Sequence, residues 1–171
     1  GIDYLALGHI HSYKKERLDA RGVYCYPGCL EGRGFDECGE HGFVMLDIDE
    51  LTGTIDSTFI PFASRKLYTI PVDITGCEST TEIMERMRAE TAYPEKSLIK
   101  YELVGKIDVE SEKDIDFLLH QFSHLFYFVK IKDSSEYLVD YAAFAKDKSL
   151  KGEFIRTVMG RADLPEEDKA T

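Results

Sequence analysis

The chain has 171 residues, 43% hydrophobic and 31% charged, with a formal net charge of −11. That length suits one domain or two small ones, and the apolar share is enough for a real core. No apolar run approaches the ~20 residues of a spanning helix, which excludes a helical membrane protein, and the acidic balance disfavours a general nucleic-acid binder.

The first eleven residues set the frame. A short apolar run, Tyr4 to Leu7, stops at Gly8 and is followed by His9 and His11. The run reads as a buried strand, and Gly8 is expected to supply the sharp turn at its end. If the backbone stays extended past Gly8, His9 and His11 point to one side, roughly 6–7 Å apart. That offset suits two ligands on two adjacent metal ions at least as well as two on one. No basic leader or initiator Met precedes this strand-like opening, so residue 1 is expected to be a cut inside a larger protein. The expected compartment is cytoplasmic.

From Ser12 to Gly22 the chain is polar and reads as a loop. Between Ser12 and Arg33, Lys14, Lys15, Arg17, Arg21 and Arg33 outnumber Glu16, Asp19 and Glu31. The surroundings of the two histidines are therefore locally positive, either as a phosphate-binding surface or as an ordinary solvated loop. Val23 to Tyr26 reads as a strand, and Pro27-Gly28 as a turn. Cys29 to Gly42 holds Gly32, Gly34, Gly39 and Gly42 and reads as a long irregular segment, of the kind that is usually functional or mobile. Cys25, Cys29 and Cys38 do not form a paired knuckle pattern. Joined by His41 they would make a zinc cluster, but free thiols are the expectation. Phe43 to Ile48 and Thr54 to Phe62 read as a hairpin around Leu51-Thr52-Gly53, and these first strands suit one layer of a sandwich.

The pattern changes near Arg65. Leu67 to Ile74 reads as a strand, and Ser79-x-x-Glu82 is a capping box opening a helix with Ile83, Met84, Met87 and Thr91 on one face. Leu98 to Val109 reads as one long strand, and a second helix opens at Ser111 and ends near Leu125. Phe126 to Ile131 is the next strand. The order β-α-β-α-β implies a small α+β module with a split β-α-β arrangement. His120 and His124 have metal-pair spacing but fall opposite the apolar stripe, so they read as a solvated face. Tyr137 to Phe144 is ordered without an assignable type. Leu150, Phe154, Ile155, Val158 and Met159 give a last amphipathic helix, and Leu164-Pro165-Glu166-Glu167 looks like a further helix start.

Asp3-Tyr4-Leu5-Ala6-Leu7-Gly8-His9-Ile10-His11 resembles the last metal-binding motif of calcineurin-like metallophosphoesterases. Tyr26-Pro27-Gly28, then Glu31 to Glu37 and Gly39 to Phe43, are similar to the SbcD-type DNA repair nuclease subunit. Cys29 stands where related sequences often carry Ser, and the family's earlier motifs are absent. The resemblance implies an α+β chain in three parts. Residues 1–65 would end a metallophosphoesterase β-sandwich, 66–146 would be a capping domain, and 147–171 a helical tail. It further implies a two-metal Mn²⁺ nuclease in which His9 binds one ion and His11 the other. Lys14, Lys15 and Arg33 would hold DNA, and Phe154 and Val158 would dock an SbcC-like ATPase. The full-length protein is expected to be active and to form a homodimer, and this chain alone to be inactive and a weak Mn²⁺ binder. Two readings compete: a non-catalytic module that caps DNA and docks the ATPase, and another calcineurin-like phosphoesterase.

Overall fold

The computed structural model describes residues 1–138 and 148–160. The chain is mixed α+β, with three helices and several small sheets among the described residues. β1 (Tyr4–Ala6), β2 (Lys14–Arg17) and β3 (Val23–Tyr26) form one sheet in the order β1-β3-β2. β4 (Gly42–Ile48) and β5 (Ile55–Pro61) form an antiparallel hairpin with Val44 opposite Phe59.

β2 lies where the sequence predicts a loop. Its four residues are all charged and exposed, so no hydrophobic alternation announces it. Backbone pairing to β3 makes it a strand, and its charges suit an edge that must not recruit further strands.

β6 (Leu67–Asp73), β7 (Leu98–Val104) and β9 (Phe128–Asp133) form a parallel sheet in the order β6-β7-β9. α1 (Thr80–Ala89) and α2 (Ile115–Phe122) connect them. Ile99, Tyr101 and Leu103 alternate along β7 and are wholly buried on one face, beneath Ile83 and Met87 of α1 and Leu118 and Phe122 of α2. The Tyr101 and Phe122 rings meet edge to face at 5.5 Å. Each fully buried side chain of this size contributes about 1.5–3 kcal/mol, which makes this cluster the energetic centre of the chain. The sheet is not split: β6 and β9 both pair directly with β7, so no strand is inserted between the parallel neighbours.

The caps are partly as expected. Ser79 accepts from the Glu82 N–H, and Glu82 answers at the Glu78 N–H, 2.9 Å away. α2 is capped by Asp114, which accepts from the Phe117 N–H at 2.9 Å, so it opens later than Ser111 and ends at Phe122. His120 and His124 are exposed.

The single long strand expected over 98–109 is broken at Gly105, where φ is +102°. β8 (Lys106–Asp108) leaves the parallel sheet and pairs with β10 (Glu136–Leu138). A Cβ at Gly105 would collide with Thr75 Oγ1 and Asp73 Oδ1, so only glycine permits both this approach and this backbone. The rest of the ordered segment expected up to Phe144, and the helix start at Leu164, lie outside the described residues. α3 (Leu150–Met159) is present, capped by Ser149 accepting from the Gly152 N–H at 3.1 Å. No helix among the described residues is long and apolar enough to cross a membrane.

Gly105→Ala is expected to lower stability by about 1–3 kcal/mol, the range for a residue forced into a sparsely populated backbone region. Urea unfolding of the chain measures it. An unchanged midpoint would show that the strand break does not depend on glycine.

Candidate functional site

The site forms where the turn after β1 meets the irregular segment between β3 and β4. Its first anchor is backbone. The Cys29 N–H donates to the His11 carbonyl at 3.0 Å, and Gly28 (φ +80°) brings the two segments together. A Cβ at Gly28 would lie 2.8 Å from the His11 carbonyl oxygen.

The second anchor is Glu37. Its Oε1 lies 2.5 Å from His11 Nδ1, across 26 residues of sequence, and its Oε2 accepts from the Arg33 N–H at 2.8 Å. The hydrogen bond from His11, reinforced by the Arg33 amide, holds the Glu37 carboxyl down to about 2. The Glu37 side chain is 14% exposed and that of His11 40%. A tight turn, Glu37 N–H to Gly34 carbonyl at 2.9 Å, fixes the carboxylate's position along the chain.

Cys29 completes the cluster. Its Sγ lies 3.8 Å from Glu37 Oε2, 3.3 Å from His41 Nδ1 and 3.1 Å from the Glu31 carbonyl oxygen. Burial, then the nearby Glu37 charge, pushes the Cys29 thiol up. His41 is buried and donates from Nε2 to the Glu37 carbonyl at 2.7 Å, which leaves Nδ1 to accept from the thiol. His11, Cys29 and Glu37 offer ligand atoms all within 4.8 Å of one another, a group that can hold a metal ion. Of the sequence-level zinc candidates, only Cys29 and His41 touch. Cys25 is buried, Cys38 lies against Thr69, and all four cysteines are free thiols.

His9 is outside this group. It is exposed, and its φ is +77°, in the left-handed region. Gly8, expected to make the turn, has no left-handed φ and meets nothing within 4 Å of an added Cβ. The turn falls on the histidine instead. The extended backbone assumed for His9 and His11 is therefore absent, and strand alternation does not set their relative direction.

The basic residues are dispersed. Lys14 and Lys15 are neighbours on β2, so their side chains leave opposite faces of the sheet. Lys14 pairs with Glu16 at 3.2 Å and lies over the Tyr24 ring, on the face opposite Lys15 and Cys25. Arg33 alone reaches the cluster, with Nη2 3.1 Å from His11 Nε2. Phe154 and Val158 lie on α3, Phe154 67% exposed. Glu37 was not singled out from sequence. It belongs to no spaced motif with His11, and only the folded segment joins them.

No protein-family model matches this chain.

A left-handed conformation costs an L-residue about 1–2 kcal/mol, whereas glycine gives back about 0.5–1 kcal/mol of that in entropy. His9→Gly is therefore expected to be more stable than His9→Ala by about 0.5–1 kcal/mol. Paired urea unfolding curves test this, and an Ala variant as stable as the Gly variant would mean the strain is absent.

Proposed function

We propose that the chain is the C-terminal portion of an SbcD-like, metal-dependent nuclease that cleaves DNA phosphodiester bonds in double-strand-break processing. In this reading 1–65 closes a metallophosphoesterase β-sandwich, 66–146 is the capping domain and 147–171 the tail. The observation that carries it is His9. A non-glycine residue held left-handed beside a glycine, two positions before a carboxylate-clamped histidine, is the kind of strain that structures keep at functional sites. The donor set also fits. Imidazole nitrogen backed by carboxylate suits Mn²⁺ as well as zinc, and a ligating histidine usually gives its other N–H to a carboxylate, as His11 does to Glu37.

Two divalent ions, when bound, activate a water and stabilise the leaving oxygen. His9 and His11 supply one ligand each, and upstream residues of the full-length protein supply the rest. The chain alone is then inactive. Of the basic residues, Arg33 and one of Lys14 and Lys15 face DNA phosphates, since the two lysines leave opposite faces.

The docking reading has its own support in α3. Leu150 and Phe154 are 83% and 67% exposed on a capped helix. Such an apolar stripe suits a partner's groove, and by resemblance the partner is the SbcC-like ATPase.

In the full-length protein, His9→Ala and His11→Ala are each expected to cut Mn²⁺-dependent cleavage of linear duplex DNA by at least about 100-fold, because even outer-shell partners cost 10–100-fold. Both should unfold within about 1 kcal/mol of the parent, since neither truncation opens a core cavity. Retained cleavage in the double variant would sink the assignment. Phe154→Asp with Val158→Asp is expected to abolish co-purification with the ATPase while leaving cleavage of short duplexes intact. Unchanged co-purification of the folded variant would remove α3 from the docking surface.

A further inference from the structure

His11 is held at both ring nitrogens by groups of opposite charge. Nδ1 lies 2.5 Å from Glu37 Oε1, and Nε2 lies 3.1 Å from Arg33 Nη2, which is also 3.3 Å from Nδ1. A guanidinium only donates, so Nε2 is the acceptor and Nδ1 carries the proton shared with Glu37. The lone pair that a metal ion would use is thus on Nε2, and a cation already rests against it.

The two neighbours are not equally fixed. Glu37 is held at both oxygens and at its own N–H. The Arg33 side chain is exposed, on a long stem that can swing into solvent at small cost. Its backbone amide stays on Glu37 Oε2 whatever the guanidinium does.

Direct chelation by His11, Cys29 and Glu37 is the competing arrangement. Zinc-type bond lengths place tetrahedral ligand atoms roughly 3.3–3.6 Å apart. The His11–Glu37 contact of 2.5 Å would have to open and lose its proton. The Cys29 thiol would also have to ionise, which burial and the Glu37 charge oppose. Coordination through Nε2 asks only that Arg33 move.

We propose that Glu37 is a positioning residue that presents His11 Nε2 to a divalent cation, and that Arg33 is an internal stand-in occupying that face until the cation displaces it. No bond breaks and no proton is released: neutral His11 keeps its Nδ1–H on Glu37 and exchanges a hydrogen bond at Nε2 for a metal bond. The inference rests on the metal-ligand reading of His11. It predicts opposite signs for two neighbours in one loop. Glu37 aids the ion, and Arg33 competes with it.

The experiment is a Mn²⁺ titration of the chain with ¹⁵N-labelled histidine, followed by paramagnetic broadening of the imidazole signals, which reads weak binding directly. The metal-free spectrum should show His11 as the Nδ1–H tautomer. Glu37→Gln should weaken Mn²⁺ binding at His11 by about 10–100-fold, the loss typical of an outer-shell partner. Arg33→Met, which keeps the stem and removes the donor, should tighten it several-fold. If both variants weaken binding alike, or neither changes it, the inference is overturned. The Arg33→Met arm decides the matter even where Glu37→Gln disturbs the loop. If His11→Ala leaves Mn²⁺ binding unchanged, the metal-ligand reading itself fails. If His11→Ala abolishes binding but Glu37→Gln does not weaken it, only the positioning role fails. With Co²⁺ in place of Mn²⁺, a thiolate-to-cobalt absorption lost in Cys29→Ser would establish direct chelation and overturn the proposal.

Discussion

The contact between His11 and Glu37 is the constraint on which the site depends. The segment between β3 and β4 has no ladder of its own, and its backbone polar groups must be satisfied piecemeal. It solves this by folding around one carboxylate. Glu37 gathers His11 on one oxygen and the Arg33 amide on the other, and its carbonyl receives His41. The same segment reaches the parallel sheet through Glu31 with Ser64, Glu40 with Lys66, and Phe35 near Phe128. Local charge pairing thus ties the turn after β1 to the module that holds most of the buried core.

That linkage explains why a strongly acidic chain still places a cation at its histidines. Most exposed ion pairs here, such as Lys14–Glu16 and Lys66–Glu40, are worth little individually. Arg33 differs because its backbone is pinned by the residue that orients the histidine. Position, rather than the number of basic residues between Ser12 and Arg33, decides which charge matters. Counting the segment as locally positive finds Arg33 but cannot separate it from Lys15, which makes no printed-range ion pair or hydrogen bond of this kind near the cluster and lies across the sheet from Lys14.

The elements that were legible from sequence are those whose signal is local. The hairpin β4–β5, the Ser79 cap and the apolar stripes of α1 and α2 follow from alternation, capping chemistry and helical period. What was not legible depends on partners distant in the chain. β2 is a strand because β3 offers it a ladder, not because Lys14–Arg17 favours one. The break at Gly105 exists because Thr75 and Asp73 crowd that position from 30 or so residues away. At the site, the two histidines stood out by spacing, but Glu37 did not, since nothing local marks a glutamate that will meet a histidine 26 residues earlier. The misplacement of the turn on Gly8 has the same origin. Propensity favours glycine for a left-handed residue, and only tertiary structure can force that conformation onto His9.

The hairpin β4–β5 carries the last step. A half-exposed strand alternates apolar and polar, whereas a strand covered on both faces is apolar on both. β4 is of the second kind: Phe43 and Met45 point one way, and Val44, Leu46 and Ile48 the other. Yet Met45, Ile48 and the adjoining Phe62 are each more than half exposed. Tyr13 against Phe59 at 4.5 Å, and Phe43 against Phe62 at 5.9 Å, cover only parts of the two faces. A two-stranded hairpin is marginal in water unless a further layer packs on it. A sequence that invests apolar residues on both faces of this hairpin is written for a sheet with neighbours on each side. A β-sandwich supplies that environment, so the proposed phosphoesterase domain answers a packing demand as well as a chemical one: the layers that would complete the metal site are the layers that would bury β4.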